Sequence, residues 1–180
     1  MDINKKSVLW NYLSDGQKKL INEGNHLIEH AKSHGEDEDF GDYSFVVFPF
    51  AKAYEGFLKQ VFLDAGFIRE EDYRSDHFRL GKAMSPHLVK RLGYRSVYKK
   101  ICDSAGCNLA DHIWASWKRG RNQVFHYFPH NLRSLTLSEA EDIVSQLINT
   151  MEEAVKKLRI SGVMQRLQRL GNESYAKISV

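Results

Sequence analysis

The sequence predicts an all-α fold, arranged as a compact helical bundle in a single domain. Three observations support this prediction. Apolar residues recur at the three- and four-residue spacing of a helix along most of the chain. The 180 residues include only three prolines, and 42% are hydrophobic, which is typical of one globular domain. No two segments show the alternating pattern of paired strands.

The first part of the chain contains two long predicted helices. One ends near Gly35 and is followed by an acidic loop at 36–39. The other is carried by the apolar residues of 54–62. Ser44 is a candidate N-terminal cap for this second helix, and Pro49 either kinks it or marks its true start.

The second part begins with interrupted periodicity and ends in a long helix. Short helical pieces are predicted in 70–93, and continuous helices at 94–104 and 108–126. Ser138 to Glu141 match a capping box, so a long amphipathic helix should start there. The residues after Gly162 leave room for one more short helix.

Charge is distributed unevenly along the chain. Residues 1–81 contain 10 Lys/Arg and 15 Asp/Glu, whereas residues 82–100 contain six Lys/Arg and no acidic residue. Lysine and arginine clusters attract phosphates, so the pattern is compatible with a polyanionic partner. It is equally compatible with an ordinary solvated surface.

Several classes of protein are excluded by composition and motifs. Two cysteines, Cys102 and Cys107, are too few for a disulfide scaffold and are expected to be core or free thiols. The longest apolar run, at 45–51, is too short to span a membrane. No Walker or GxGxxG motif supports an NTPase or a dehydrogenase. With no apolar signal-peptide core at its start, the chain is expected to be cytoplasmic.

The segment 117–129 carries the residues best suited to chemistry. On a continuous helix, Asn122 and His126 lie one turn apart on the same face, with Arg121 beside them. A histidine can exchange a proton near neutral pH, and a guanidinium can hold a phosphate through two hydrogen bonds. The set therefore suits phosphoryl chemistry. The alternative is an ordinary helix end with a surface arginine and a half-buried histidine.

This motif resembles the R-x4-6-H signature of the HEPN superfamily (higher eukaryotes and prokaryotes nucleotide-binding domain), in which a polar residue such as Asn122 usually follows the arginine. Three segments extend the resemblance: PFAKAYEGFLK at 49–59, HFRLGKAMSP at 77–86 and WASWKRGRNQVFHYFP at 114–129. Together they resemble the HEPN-type domain of ribonuclease LS toxins.

The resemblance implies a domain organisation and a function. Residues 40–160 would form the HEPN-like ribonuclease domain, with the N-terminal helix and acidic loop of 1–39 packed on it and 161–180 as a C-terminal tail. The activity implied is a metal-independent endoribonuclease without a cofactor, the toxin of a toxin–antitoxin or phage-defence system. Its implied partners are RNA, a second copy whose motif faces the same cleft, and an antitoxin protein.

The resemblance also implies roles for individual residues. Arg121 and His126 would be the catalytic pair, Asn122 a supporting polar residue, Glu55 a catalytic acid, and Asp42 a further acid upstream. The RNA 2′-hydroxyl would attack the adjacent phosphate, leaving a cyclic phosphate and a 5′-hydroxyl. His126 would act as general acid or base, oriented by Glu55, and Arg121 would stabilise the phosphorane. The residues expected to contact RNA are Lys82, Lys90, Arg91, Arg95 and Arg119.

Other interpretations remain open at this level. The chain could be a non-catalytic HEPN module that binds RNA or nucleotides within a larger assembly, or an unrelated helical interaction domain with a chance motif. Glu55 could be a structural carboxylate that pairs with an arginine across the bundle. Phe128 stands where HEPN toxins silenced by AMPylation carry tyrosine, which favours an antitoxin that binds and occludes the site. A metal site at His26, His30 and His34 is disfavoured against a solvated helix face.

Overall fold

The computed structural model describes the backbone of residues 3–34 and 40–176, and the side chains of 3–33 and 40–158. These residues form helices and connecting turns with no strand, so the predicted all-α class is confirmed. The α-helices are α1 (Val8–Tyr12), α2 (Asp15–His34), α3 (Ser44–Asp64), α4 (Glu70–Arg74), α5 (Leu80–Ala83), α6 (Val89–Leu92), α7 (Val97–Ala105), α8 (Cys107–Trp117) and α9 (Leu137–Ala176). The acidic loop predicted at 36–39 lies outside the described residues.

Helix α3 is the centre of the bundle because most of its surface is apolar. It packs against α2 on one side and α9 on another. Phe50, Phe57 and Phe62 are fully buried, and each contributes about 1.5–3 kcal/mol of hydrophobic free energy. Tyr54 is also buried, and its hydroxyl donates a hydrogen bond to the Ile113 carbonyl of α8 at 3.0 Å. Burial raises the pKa of Tyr54 well above its ordinary value, so the phenol stays neutral.

Residues 70–93 form short helices and turns, as their interrupted periodicity predicts. Helix α9, in contrast, continues without a break to Ala176. The backbone after Gly162 therefore extends α9 and does not form the separate short helix that the sequence suggested.

The N-terminus of α9 is capped by a different pair of residues from the predicted one. The Glu139 N–H donates to Thr136 Oγ1 at 3.2 Å, and the Thr136 N–H donates to Glu139 Oε2 at 2.9 Å. Because the helix begins at Leu137, Ser138 already lies inside its first turn and cannot be the cap. The capping box predicted at Ser138 to Glu141 is therefore wrong, and the real one is Thr136 to Glu139.

Replacing this cap should destabilise the protein measurably. We expect Thr136→Ala to lower the free energy of unfolding by about 1 kcal/mol, because it removes the hydroxyl that accepts the third backbone N–H. Ser138→Ala, the control, should change it by less than about 0.5 kcal/mol. Urea unfolding of the two variants measures the difference, and equal losses would contradict this assignment of the cap.

Cys102 in α7 and Cys107 in α8 form a disulfide bond. The expectation of core or free thiols is therefore wrong. The reason is local: Gly106, between the two helices, has a positive φ of 92°, a conformation that glycine adopts without strain. This turn folds α8 back against α7 and brings the two thiols together.

Candidate active site

The motif segment leaves α8 through a π-helical turn at Lys118–Gln123. Gly120 makes this path possible, because a Cβ at this position would lie 2.8 Å from Leu147 Cδ2 in α9. Regular helix ends at Gln123, and the prediction of a continuous helix over 108–126 is wrong. Asn122 and His126 consequently do not share one helix face. A single π-turn within a helix often marks a functional site.

Arg121 lies at the centre of a small polar cluster. Its guanidinium carbon is 5.4 Å from the centroid of the Trp117 ring, and its Nε is 4.0 Å from Glu55 Oε2. Its Nη1 lies 3.5 Å from Asn122 Oδ1. The Arg121 and Glu55 side chains are 42% and 38% exposed. An ion pair this exposed is worth about 0–1 kcal/mol, so a phosphate could displace the carboxylate.

His126 lies in the exposed turn that follows. Its side chain makes no hydrogen bond or ion pair with any residue that the structure describes. The neighbouring Phe125 anchors the turn, since its ring packs edge-to-face on Phe48 of α3 with centroids 5.6 Å apart. Phe48 and Glu55 are seven residues apart on α3 and therefore lie on the same face. Both hold the motif segment against α3.

The structure thus brings together three of the five predicted catalytic residues. Glu55, Arg121 and Asn122 are neighbours, whereas the His126 side chain makes no hydrogen bond or ion pair with them. The expectation that Glu55 orients the imidazole is not met in this arrangement, because its partner is Arg121. The alternative of a carboxylate that pairs with an arginine across the bundle describes the contact of Glu55 better.

Asp42 lies away from this cluster and organises the start of α3. Its Oδ1 accepts hydrogen bonds from the Ser44 N–H at 2.9 Å and the Leu135 N–H at 3.2 Å, and its Oδ2 accepts from Asn131 Nδ2 at 3.1 Å. Partial burial by itself would raise the pKa of Asp42, but the hydrogen bonds from Ser44, Asn131 and Leu135 outweigh it and lower the pKa. Its contacts are those of a structural carboxylate that ties the turn before α9 to α3.

This arrangement predicts a pH-dependent stability. Because the pKa of Asp42 is lower in the folded state, its contribution is complete above its ordinary pKa of about 4 and is lost as the pH falls through the lowered pKa of the folded state. We expect Asp42→Ala to lower the free energy of unfolding by about 1 kcal/mol at pH 7 and by less at pH 3. Urea unfolding at both values tests this. Asp76→Ala, which removes an exposed carboxylate, is the control, and an equal loss from Asp42→Ala at both pH values would contradict the prediction.

The residues expected to contact RNA fall into two groups. Lys82, Arg91 and Arg95 line one basic cavity, while Lys90 does not. Arg119 is half-buried, and its Nη1 donates to Gln146 Oε1 of α9 at 2.8 Å. The Arg119 guanidinium is therefore already bonded to α9.

Sequence reasoning missed two contributions to these sites. Trp117 is 4% exposed, and its ring also lies beneath Arg121. The four-residue spacing of the two was the available signal. Arg69 lines the same basic cavity as Arg91, although it lies outside the basic stretch 82–100, and no local pattern could have grouped the two.

The described part of the chain contains no group of three or more histidine, cysteine or acidic side chains that could hold a metal ion. The side chain of His34 in the helical His26, His30 and His34 series lies outside that part. None of the described helices combines the length and apolarity needed to cross a bilayer.

Comparison with known proteins identifies no family for this chain. No protein-family model matches the chain, and neither the curated proteins nor the solved structures contain a significantly similar one. The resemblance to the HEPN superfamily therefore depends on the motif and its three segments alone.

Proposed function

We propose that this protein is a metal-independent endoribonuclease of the HEPN type. The observation that carries the proposal is the exposed cluster of Arg121, Glu55 and Asn122, followed by the unpaired imidazole of His126. A guanidinium held by a weak, solvent-exposed ion pair is available to a phosphate. An exposed imidazole is available to exchange a proton with a bound substrate.

The proposed reaction needs RNA and no further reagent. The 2′-hydroxyl oxygen attacks the adjacent phosphorus, and its proton passes to a general base. The bond from phosphorus to the 5′-oxygen breaks, and that oxygen receives a proton from a general acid. The products are a 2′,3′-cyclic phosphate and a 5′-hydroxyl. Arg121 stabilises the additional negative charge of the phosphorane, and DNA is inert because it lacks the attacking group.

His126 supplies the proton transfer in this mechanism. One imidazole can serve as base and then acid only in separate steps, so the reaction is faster when two are present. A homodimer whose motifs face one cleft would supply both. In the cell, we expect the activity to belong to a toxin or phage-defence system, with an antitoxin protein that occludes this cleft.

Incubation of the purified protein with total RNA in EDTA tests the activity directly. Wild type should cleave, and His126→Ala should be at least about 100-fold slower because the proton transfer is lost. His130→Asn is the matched control: it removes another exposed histidine of the same loop, and asparagine tolerates the positive φ of 58° there. Cleavage by all three proteins would contradict the assignment of the site.

A non-catalytic RNA- or nucleotide-binding module is the second candidate function. It is favoured by one observation, namely that the His126 side chain makes no hydrogen bond or ion pair with the other motif residues in the described part of the chain. RNA binding without cleavage by the dimeric wild-type protein would support this candidate against the first.

A further inference from the structure

A cavity of about 900 Å³ lies among the short helices and turns between α3 and α7. Six lysine and arginine residues line it, against the single acidic residue Asp72. The volume is that of a typical small-molecule site. With six cations and one carboxylate, the cavity suits a ligand that carries several negative charges better than a neutral or singly charged one.

Three of the six cations already bind protein groups. Arg79 Nη1 donates to the Asp76 carbonyl at 2.8 Å. Lys100 Nζ donates to the Phe67 carbonyl at 2.6 Å, and Arg69 Nε lies 3.8 Å from Asp72 Oδ2. Partial burial lowers the pKa of Lys100, and the carboxylate of Asp72 offsets this only in part. An anion in the cavity would therefore stabilise the charged form of Lys100.

The other three cations have no partner among the residues that the structure describes. Lys82, Arg91 and Arg95 are exposed and make no ion pair or side-chain hydrogen bond with the described residues. Tyr94, between the two arginines, is 85% exposed and also lines the cavity. Its ring leaves the chain directly after Gly93, whose φ is 54°. One short turn thus presents an aromatic face and two uncommitted guanidinium groups.

We propose that this cavity binds a nucleoside polyphosphate, with its phosphates on Lys82, Arg91 and Arg95 and its base stacked on Tyr94. Guanidinium groups hold phosphate oxygens through paired hydrogen bonds, and aromatic rings stack on any base. This combination distinguishes the cavity from a plain anion site, which needs no aromatic face. The proposal is independent of RNA cleavage at Arg121.

Phosphates joined to a base, the groups that this cavity would bind, occur both in a free nucleotide and in a strand of RNA. The cavity adjoins the candidate active site, because Lys82 follows Gly81, and a Cβ at Gly81 would lie 2.7 Å from Trp117 Nε1. The ring of Trp117 also lies beneath Arg121. An RNA strand at Arg121 could therefore extend into the cavity, and the experiment must separate the two sources.

Calorimetric titration of the full chain with three probes tests the proposal. The probes are ATP, inorganic triphosphate, and a 2′-O-methyl RNA oligonucleotide, which cannot be cleaved by 2′-hydroxyl attack. We expect Arg91→Ala and Tyr94→Ala each to weaken binding by about 10-fold. Lys19→Ala is the control, since it removes an exposed charge on α2 that does not line the cavity, and it should change affinity by less than about 2-fold. Unchanged thermal unfolding of these surface variants shows that each is folded.

The outcomes separate the sources and the alternatives. ATP binding that follows this variant pattern supports a free nucleotide as the ligand. The same pattern with the oligonucleotide alone overturns a free nucleotide as the ligand and assigns the cavity to an RNA strand. The proposal is also overturned if no probe binds, or if Lys19→Ala weakens binding as much as Arg91→Ala. It is also overturned if inorganic triphosphate binds as tightly as ATP and Tyr94→Ala has no effect, because the cavity would then be a plain anion site.

Discussion

Arg121→Ala is expected to slow RNA cleavage by about 100- to 1,000-fold. The magnitude is that of removing one charged donor which stabilises the transition state of an acyl or phosphoryl transfer. Arg121 is suited to this role because its only carboxylate partner in the described chain, Glu55, is 4.0 Å away and exposed. Single-turnover cleavage of a labelled RNA in EDTA measures the change.

Arg119→Ala is the matched control for this variant. It removes the same type of side chain two residues away, but that arginine is committed to Gln146 within the bundle. We expect it to reduce stability slightly and to leave the cleavage rate of folded protein within about 3-fold of wild type. Equal losses from both variants would show that general charge, and not the position of Arg121, controls the rate.

Gly24→Ala is expected to destabilise the protein by about 2 kcal/mol, although alanine is the better helix former. Inside α2, the exchange should gain about 1 kcal/mol from helix propensity. A Cβ at Gly24, however, would lie 2.7 Å from Cζ of Phe50 and closer still to Cε2. Phe50 is 1% exposed and has no room to move, so the overpacking cost exceeds the gain.

Gly16→Ala provides the comparison within the same helix. No atom lies within 4 Å of a Cβ at Gly16, so propensity acts alone and we expect a gain of a few tenths of a kcal/mol or more. Urea unfolding of the two variants should therefore give changes of opposite sign. A stabilising Gly24→Ala would show that α2 and α3 are packed less closely than described.

The sequence was most informative where structure is local. The helical class and the helix ending near Gly35 follow from apolar spacing, which depends only on neighbouring residues. Pattern alone could not locate the cap of α9, because two Ser/Thr-x-x-Glu matches lie two residues apart. Tertiary structure selected Thr136, where the chain held by the Leu135 bond to Asp42 turns into the helix.

The candidate site shows the same division. Chemistry and local spacing identified Arg121, Asn122 and His126 as the residues to consider, and the family resemblance added Glu55. Only the tertiary structure decided which of them meet, since that depends on the packing of the motif segment. At Gly120, where the chain passes close to Leu147, the segment forms a π-helical turn, so that Asn122 and His126 do not share one helix face and Arg121 lies beside Glu55.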